Sequence, residues 1–407
     1  MTPPNTSMVS APPSTIVIPH SRATPPLAFR LALVLFGFVV GAASAAPPAL
    51  PTLRVVGPPE TVIAAEDMHC RPPAGEKGID VPDMPPAAYR RADGTVVMLA
   101  SNRHNFAATG PSLDGVKRRA CDSVLPSQGR AEPEAFADNQ WLTSVYAVSP
   151  SLLLGFVHDE YHGDEHGLPN CETTSKANYE CWYASTTLVV SSDDGRSFKR
   201  APGDDVIAAL PYRFKPGAKR AGVSSPKVVG DPNGEYLYLF VTFMDRNRGI
   251  RTNECLLRAA VREPTKWLGW DGKAFAARIG NPYGERSPDD CVSVIRGVVT
   301  GVKYLPRYQA YVAISLDGNE VKYQFSRDAI NWDAPRPLPF DFVSLGSYHR
   351  GDPQPLAYFT ILDPTSRSRN FDTIEDKPYL YYVRWRTDGR GIVNSRRDVM
   401  RLPLAFE

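Results

Sequence analysis

The chain has 407 residues, of which 46 are Lys or Arg and 44 are Asp or Glu, for a formal net charge of +2. Two of those basic residues and no acid fall within positions 1–45, so the rest of the chain carries 44 charges of each sign. A balance of that kind excludes a nucleic-acid partner and an anionic membrane surface, both of which call for a concentrated excess of basic charge.

The first predicted element is a leader. No acidic residue precedes Glu60; Arg22 and Arg30 lie before the apolar run LALVLFGFVVGAA (31–43), which ends in the small residues Ala43, Ser44 and Ala45. A basic segment, a short apolar core and a small-residue end predict a secretory signal peptide over 1–45. The run is shorter than the roughly 20 residues a membrane helix needs. An uncleaved N-terminal anchor is the alternative, and Met8 or a later start stays open because the basic segment is long. Export places the remainder, 46–407, in a secreted or periplasmic setting as a single domain. All six cysteines, Cys70, Cys121, Cys171, Cys181, Cys255 and Cys291, lie in that part, and an even number in an exported chain predicts disulfides. Six cysteines allow about 15 pairings. The short loop Cys171–Cys181 is the expected one, and the lack of any C-x-x-C spacing argues against a structural zinc knuckle.

Helical periodicity is scarce, and short β-rich runs separated by turn residues take its place. AAYRR (87–91), the turn Asp93-Gly94 and TVVMLAS (95–101) make a hairpin. WLTSVYAV (141–148), SLLLGFVH (151–158) and ASTTLVVSS (184–192) make a second set, and SPKVVG (225–230), EYLYLFVTF (235–243) and ECLLRAAV (254–261) a third. GVVTGVKYLP (297–306), YQAYVAIS (308–315) and EVKYQFS (320–326) make a fourth; PQPLAYFTIL (353–362), YLYYVRW (379–385) and RDVMRLPL (397–404) make a fifth. A steady strand-turn-strand-strand unit with irregular insertions predicts an all-β fold, a five-bladed β-propeller. Apolar runs such as LLLGFV suit strands covered on both faces by neighbouring blades. A six-bladed propeller and a pair of β-sandwiches are the rivals.

SSDDGRSF (191–198) fits S-x-D-x-G-x-x-[FW], and SRDAINW (326–332) is a shortened variant. In such turns the Asp accepts backbone N–H bonds and the aromatic anchors the turn between sheets. They resemble the Asp-boxes of sialidase-like propellers, which in that family mark the fold and sit away from the active face. GPSLDGVKRRAC (110–121), VHDEYHG (157–163), CWYASTTLVVSSDDGRSF (181–198) and ECLLRAAVREPTKWLGWDGKAF (254–275) resemble blocks of a family of exported bacterial propeller proteins. The five-unit count is similar to that of the arabinanase, xylosidase and fructosidase type of glycosidase. The WMNDPNG-like and R-D-P blocks of those enzymes are absent, Gly351-Asp352-Pro353 being too short a match. So is the arginine block of sialidases, for which Tyr89-Arg90-Arg91-Ala92 is a poor substitute.

In a propeller the starts of first strands and the links between second and third strands gather on one face, where ligands bind. That rule places FVHDEYHGDEHG (156–167), with three of the seven histidines and four carboxylates, on the functional face. If the strand continues, period two sets His158, Glu160 and His162 on one side and Asp159 and Tyr161 on the other. Asp80 and Asp83 precede the first unit, and His104 and Asn105 follow its hairpin. Asp138 leads into the second unit, Lys227 into the third and Asp352 into the fifth, while Asp317 and Glu320 lie in the fourth-unit link. H-x-E-x-H has two chemical readings. It is a ligand set for a divalent metal ion, or it is a site in which enclosure raises the pKa of Glu160 to make it a general acid. A polar loop is the plain alternative.

A glycoside hydrolase-like reading needs two carboxylates flanking the bond. It assigns Glu160 as acid and Asp83 as base, with Asp138, His158 and His162 lining the site. His104, Arg90, Trp182 and Lys227 are further candidates for contact with a glycan. Trp267 and Trp270 read as packing. A carbohydrate-binding propeller without turnover and a metal-dependent hydrolase using His158, Glu160 and His162 are the alternatives. The chain holds no G-x-S-x-G, P-loop or dinucleotide fingerprint to suggest serine-esterase, nucleotide or nicotinamide chemistry.

Overall fold

A computed structural model describes residues 46–72, 78–100, 102–117, 121–171 and 180–407; the expected signal segment lies outside the described residues. The protein is all-β, and its helical content among those residues is five single turns of 3-10 helix. None of the described helices is long and apolar enough to cross a membrane.

The strands fall into five antiparallel meanders, each begun by one of the runs expected from the sequence. Before the first come β1 (Leu53–Val55) and β2 (Glu60–Ile63). The first meander is β3 (Ala87–Arg90), β4 (Val96–Leu99) and β5 (Ala107–Gly110), one strand more than the hairpin read from sequence. The second is β6 (Asn139–Ser149), β7 (Leu152–His162) and β8 (Trp182–Ser191), flanked by β9 (Lys199–Arg200) and β10 (Val206–Ala208). The third is β11 (Ala221–Gly230), β12 (Tyr236–Asp245) and β13 (Ile250–Ala260), with β14 (Leu268–Trp270), β15 (Phe275–Ala277) and β16 (Ser293–Arg296) outside them. The fourth is β17 (Val298–Leu305), β18 (Ala310–Asp317), β19 (Glu320–Ser326) and β20 (Arg336–Pro337). The fifth is β21 (Leu356–Leu362), β22 (Tyr379–Asp388) and β23 (Gly391–Phe406), and β1 and β2 pair with β23. A two-residue parallel contact, Ala221 to Tyr183 and Gly222 to Ala184, joins the second and third meanders into one sheet. Gly222 permits it, since a Cβ there would stand 2.6 Å from the Ala184 nitrogen.

The turns form by the chemistry the sequence carries. Gly94 and Gly234 close hairpins with positive φ, and Asp231 accepts the N–H groups of Glu235 and Tyr236. In SSDDGRSF, Asp193 accepts N–H bonds from Arg196 and Ser197, and Phe198 is buried between the first two meanders. Asp328 does the same for Ile330 and Asn331, and Trp332 meets Phe240 edge-on.

The hydrophobic clusters lie between meanders and follow one another in a cycle. Tyr89 and Val97 of the first pack with Leu142 and Leu153 of the second. Phe156 and Leu188 pack with Val223 and Leu239 of the third, and Phe240 and Leu256 with Tyr311 and Val302 of the fourth. Ile314 and Phe325 pack with Phe359 and Tyr382 of the fifth, and Tyr381 and Val399 return to Val96 and Met98 of the first.

Four of the five leading strands shift register, between Leu142 and Ser144, Ser224 and Lys227, Val299 and Gly301, and Ala357 and Thr360, and β6 shifts again between Ala147 and Ser149. Such bulges re-aim side chains. Thr143, Ser225, Pro226, Thr300 and Tyr358, all at these shifts, line one cavity together with Met84, Lys227 and Lys303. Ser225 and Tyr358 have φ of 49° and 59°, a left-handed conformation that non-glycine residues hold only under strain.

Candidate functional site

The centre of the site is a carboxylate held between two imidazoles. β7 runs on to His162, so HDEYH is strand rather than loop, and the pleat sets His158, Glu160 and His162 on one face as period two requires. His158 Nε2 lies 2.6 Å from Glu160 Oε1 and His162 Nε2 lies 2.8 Å from Oε2. The Ser225 N–H points at His158 Nδ1 from 3.4 Å, and the left-handed backbone at Ser225 aims it there. Trp141 and Trp182 flank the His158 ring at 5.8 and 6.0 Å, and Arg220 stacks over Trp182. Because the imidazoles address the carboxylate oxygens, the three groups satisfy one another. No set of three or more His, Cys, Asp or Glu among the described residues is placed to hold a metal ion.

The electrostatics reverse one expectation. Burial pushes the Glu160 carboxyl up, as supposed, yet the charges and hydrogen bonds of His158 and His162 outweigh it and hold Glu160 well below the usual carboxylate range. Burial likewise lowers His162, but the bond and charge of Glu160 prevail and raise it. The two imidazoles therefore favour the charged form of Glu160, against the rise that burial alone would give.

Asp83 shares this neighbourhood, for the Glu160 charge acts on it. The prolines of VPDMPP extend the chain so that Asp83 Oδ1 meets Arg397 and, at 3.2 Å, the hydroxyl of Tyr358. Burial raises the Asp83 pKa, with Arg397 opposing and Glu160 adding to the rise.

Asp138 Oδ2 accepts the His162 N–H at 3.1 Å and stands 3.0 Å from His166 Nε2. Burial raises the Asp138 pKa. Beside it Arg103 forks onto Glu165 at 2.6 and 3.1 Å, and Glu165 Oε1 lies 3.6 Å from His162 Nδ1. His104 lines the same cavity as Asp138, Arg103 and Glu165, and its ring stacks on Phe106. Across the β6–β7 pair, Asn139 is opposite Glu160 and Trp141 opposite His158. Asn139 Nδ2 and Trp141 Nε1 are buried donors with no partner among the described residues. Each such donor costs about 1–3 kcal/mol if nothing satisfies it.

Two candidates lie elsewhere. Arg90, at the far end of β3, donates to the carbonyls of Ser366 and Ser368 and stacks over Phe371, so it ties the first meander to the fifth. Lys227 lines the central cavity but is committed to Glu254 at 2.8 Å and Thr242 at 3.0 Å, and burial lowers its amine against the pull of Glu254. Asp80 is buried on the Cys70 N–H and Asn102, Asn105 holds the Leu142 N–H, and Asp317 pairs with Lys322. Asp352 accepts the His349 N–H.

Sequence reasoning did not single out Tyr358, Arg397, Trp141, Arg103 or Asn139. Glu165 and His166 sit in the same charged stretch as Glu160 and were within reach of it. Arg397 is 314 positions from Asp83, and no local pattern could have joined them.

No family model matches the chain, and no curated protein matches it. Among solved structures it is similar to an exo-β-1,3-galactanase from Phanerochaete chrysosporium, at 12% identity and a TM-score of 0.43, over 86% of this chain and 64% of that one. It is similar also to an endo-arabinase from Bacteroides thetaiotaomicron, at 9% identity and a TM-score of 0.44, over 84% and 97% of the two chains. An N-acetylgalactosamine deacetylase from F. plautii aligns at 13% identity and a TM-score of 0.42, over 87% and 95%. Likenesses this distant bear on neither the fold nor the chemistry.

Proposed function

We propose that this chain is an exported, single-domain five-bladed β-propeller that hydrolyses glycosidic bonds, with Glu160 as the ionised carboxylate and Asp83 as the acid. The observation that carries the reading is a pair of carboxyls within electrostatic reach of each other whose surroundings drive their proton affinities apart, Asp83 upward and Glu160 downward. Two such groups are the means by which one site supplies both an acid and a base. Glycoside cleavage uses the first to protonate the leaving oxygen and the second as base or nucleophile.

The remaining parts support the same reading. His158 and His162 fix the orientation of Glu160, and Asp138 anchors the His162 backbone. Trp141 and Trp182 wall off water on either side of His158. Five meanders whose clusters follow one another in a cycle suit five blades around a central cavity. The Asp193 and Asp328 turns have the hydrogen bonds of Asp-boxes, and three disulfides suit an oxidising compartment.

The test is release of reducing sugar from a panel of polysaccharides. Glu160→Gln and Asp83→Asn should each lower kcat by about 10²–10⁴-fold, the usual weight of one acid–base group. The wild-type rate should rise as pH rises through the lowered pKa of Glu160 and fall as pH rises through the raised pKa of Asp83. Turnover that survives both substitutions would sink the assignment; binding of sugar with no turnover in the wild type would leave a lectin-like propeller.

A further inference from the structure

The central cavity is walled by the leading strand of every meander, through Ala87 of β3, Thr143 of β6, Lys227 of β11, Lys303 of β17 and Thr360 of β21. It borders the candidate site, since Tyr358 and Ser225 in its wall reach Asp83 and His158. Its volume is about 140 Å³. We propose that this cavity binds a short-chain monocarboxylate, with the carboxylate on the Lys303 amine and the alkyl chain against the apolar wall. The inference goes beyond the glycosidase reading and does not depend on it.

Two observations lead to it. The first is the contrast between the two lysines that line the cavity. Lys227 is engaged by Glu254 and Thr242. Lys303 is half-buried, and its amine has no hydrogen-bond or ion-pair partner among the described residues. Asp372 acts on it through its charge, while the Asp372 carboxylate itself accepts the Gly230 N–H at 3.0 Å and the Ser368 hydroxyl. Burial pulls the Lys303 amine down to about 8 against that attraction. An ammonium withdrawn from water without a counter-ion is stabilised by an anion that reaches it. The second observation is the rest of the wall. Met84, Pro86, Pro226, Val228, Val298 and Val302 are apolar. The hydroxyls between them are already bonded: Thr143 donates to the Phe156 and Pro226 carbonyls, Thr300 donates to the Ile314 carbonyl, and Ser144 accepts the Val228 N–H. A single uncommitted cation among the described wall residues, set in an apolar surround, matches a ligand with one negative charge and an alkyl body. A cavity of roughly 150 Å³ takes up a molecule the size of benzene, so a chain of about four to six carbons fits.

The experiment uses the full chain with its disulfides intact and follows binding by calorimetry. The probes are butyrate, valerate and hexanoate, with their uncharged amides, formate and chloride for comparison. At pH 7 at least one of the three carboxylates should bind with a Kd of about 1 mM or tighter, within reach of a ligand of about six to eight non-hydrogen atoms. Its amide, formate and chloride should each bind about tenfold weaker or worse, for want of the charge or of the alkyl chain. Affinity should fall about tenfold or more from pH 7 to pH 9.5, because the protonated fraction of the Lys303 amine falls over that range. Lys227, paired with Glu254, and the Tyr358 phenol, which burial raises, line the same cavity. Lys303→Met and Lys303→Gln separate their titration from that of Lys303, and each should abolish binding while the protein stays folded. A carboxylate held no tighter than its amide, wild-type affinity in both variants, or no binding of any of the three overturns the proposal. Equal binding of formate or chloride also overturns it and leaves an adventitious ion only. If neither variant folds, the amide comparison and the pH series on the wild type decide. None of these readouts is turnover, so failure here leaves the glycosidase reading standing.

Discussion

Asp159 and Glu160 are adjacent carboxylates whose environments have opposite effects. The pleat turns Glu160 toward two imidazoles and Asp159 toward the other face, where it is 2% exposed and Oδ2 has no partner among the described residues. Burial raises Asp159 well above the usual range, the charges of Asp138 and Glu160 add to the rise, and Arg200 opposes it. A raised pKa in the folded state means that Asp159 keeps a proton the unfolded chain has lost. Its contribution to stability is therefore whole below the ordinary Asp pKa, about 4, and is lost as pH rises through the folded value. Asp159→Asn keeps the shape and removes the titration. Thermal melts from pH 4 to pH 8 should show the variant gaining on the wild type as pH rises; Tm profiles that stay parallel would refute the account. Glu160 is the converse case, stabilising above its unfolded pKa and losing that contribution as pH falls through its lowered folded one.

At the scale of the element, β7 and the loop that follows it decide the site. The strand had to run past His158 for the H-x-E-x-H face to exist, and pairing with β8 through His162 and Trp182 carries it that far. Three disulfides are present, Cys70–Cys121, Cys171–Cys181 and Cys255–Cys291; the one expected from spacing bounds this loop. Gly163 packs against it, with the Cys171 sulfur 3.0 Å from where a Cβ would be. Replacing both Cys171 and Cys181 by Ser should cost about 2–3 kcal/mol, the value for a loop of this length. Turnover should fall further than the loss of folded protein explains, because the loop carries Glu165 and His166. Chemical denaturation beside kcat measurement separates the two effects.

The whole molecule is organised by a cycle of packed meanders in which residues far apart in the chain complete one sheet. β1 lies along the end of β23, Leu53 opposite Phe406, and Thr52 and Glu407 exchange two backbone hydrogen bonds. Leu53 is 1% exposed and packs with Val312, Phe359 and Leu404. Leu53→Ala should cost about 2–5 kcal/mol, the range for a buried leucine. Urea unfolding should stay a single transition, since each meander shares its core with both neighbours. Two separate transitions would show that the meanders unfold independently.

The units, their turns and the face shared by His158, Glu160 and His162 were legible in the sequence because each depends on local rules. These are the alternation of a strand, the φ freedom of Gly94 and Gly234, and Asp193 and Asp328 accepting neighbouring N–H groups. The short Cys171–Cys181 link was legible for the same reason. What the tertiary structure alone decided is everything set by approach through space. It added β5 to the first meander and laid β1 and β2 on β23. It sent Arg90 away from the site and bound Lys227 to Glu254. It also brought Arg397 and Tyr358 to Asp83. Above all it set the direction of the Glu160 pKa: burial alone raises a carboxyl, and only the placement of two imidazoles on its oxygens, one of them oriented by Ser225 from another meander, turns that rise into a fall.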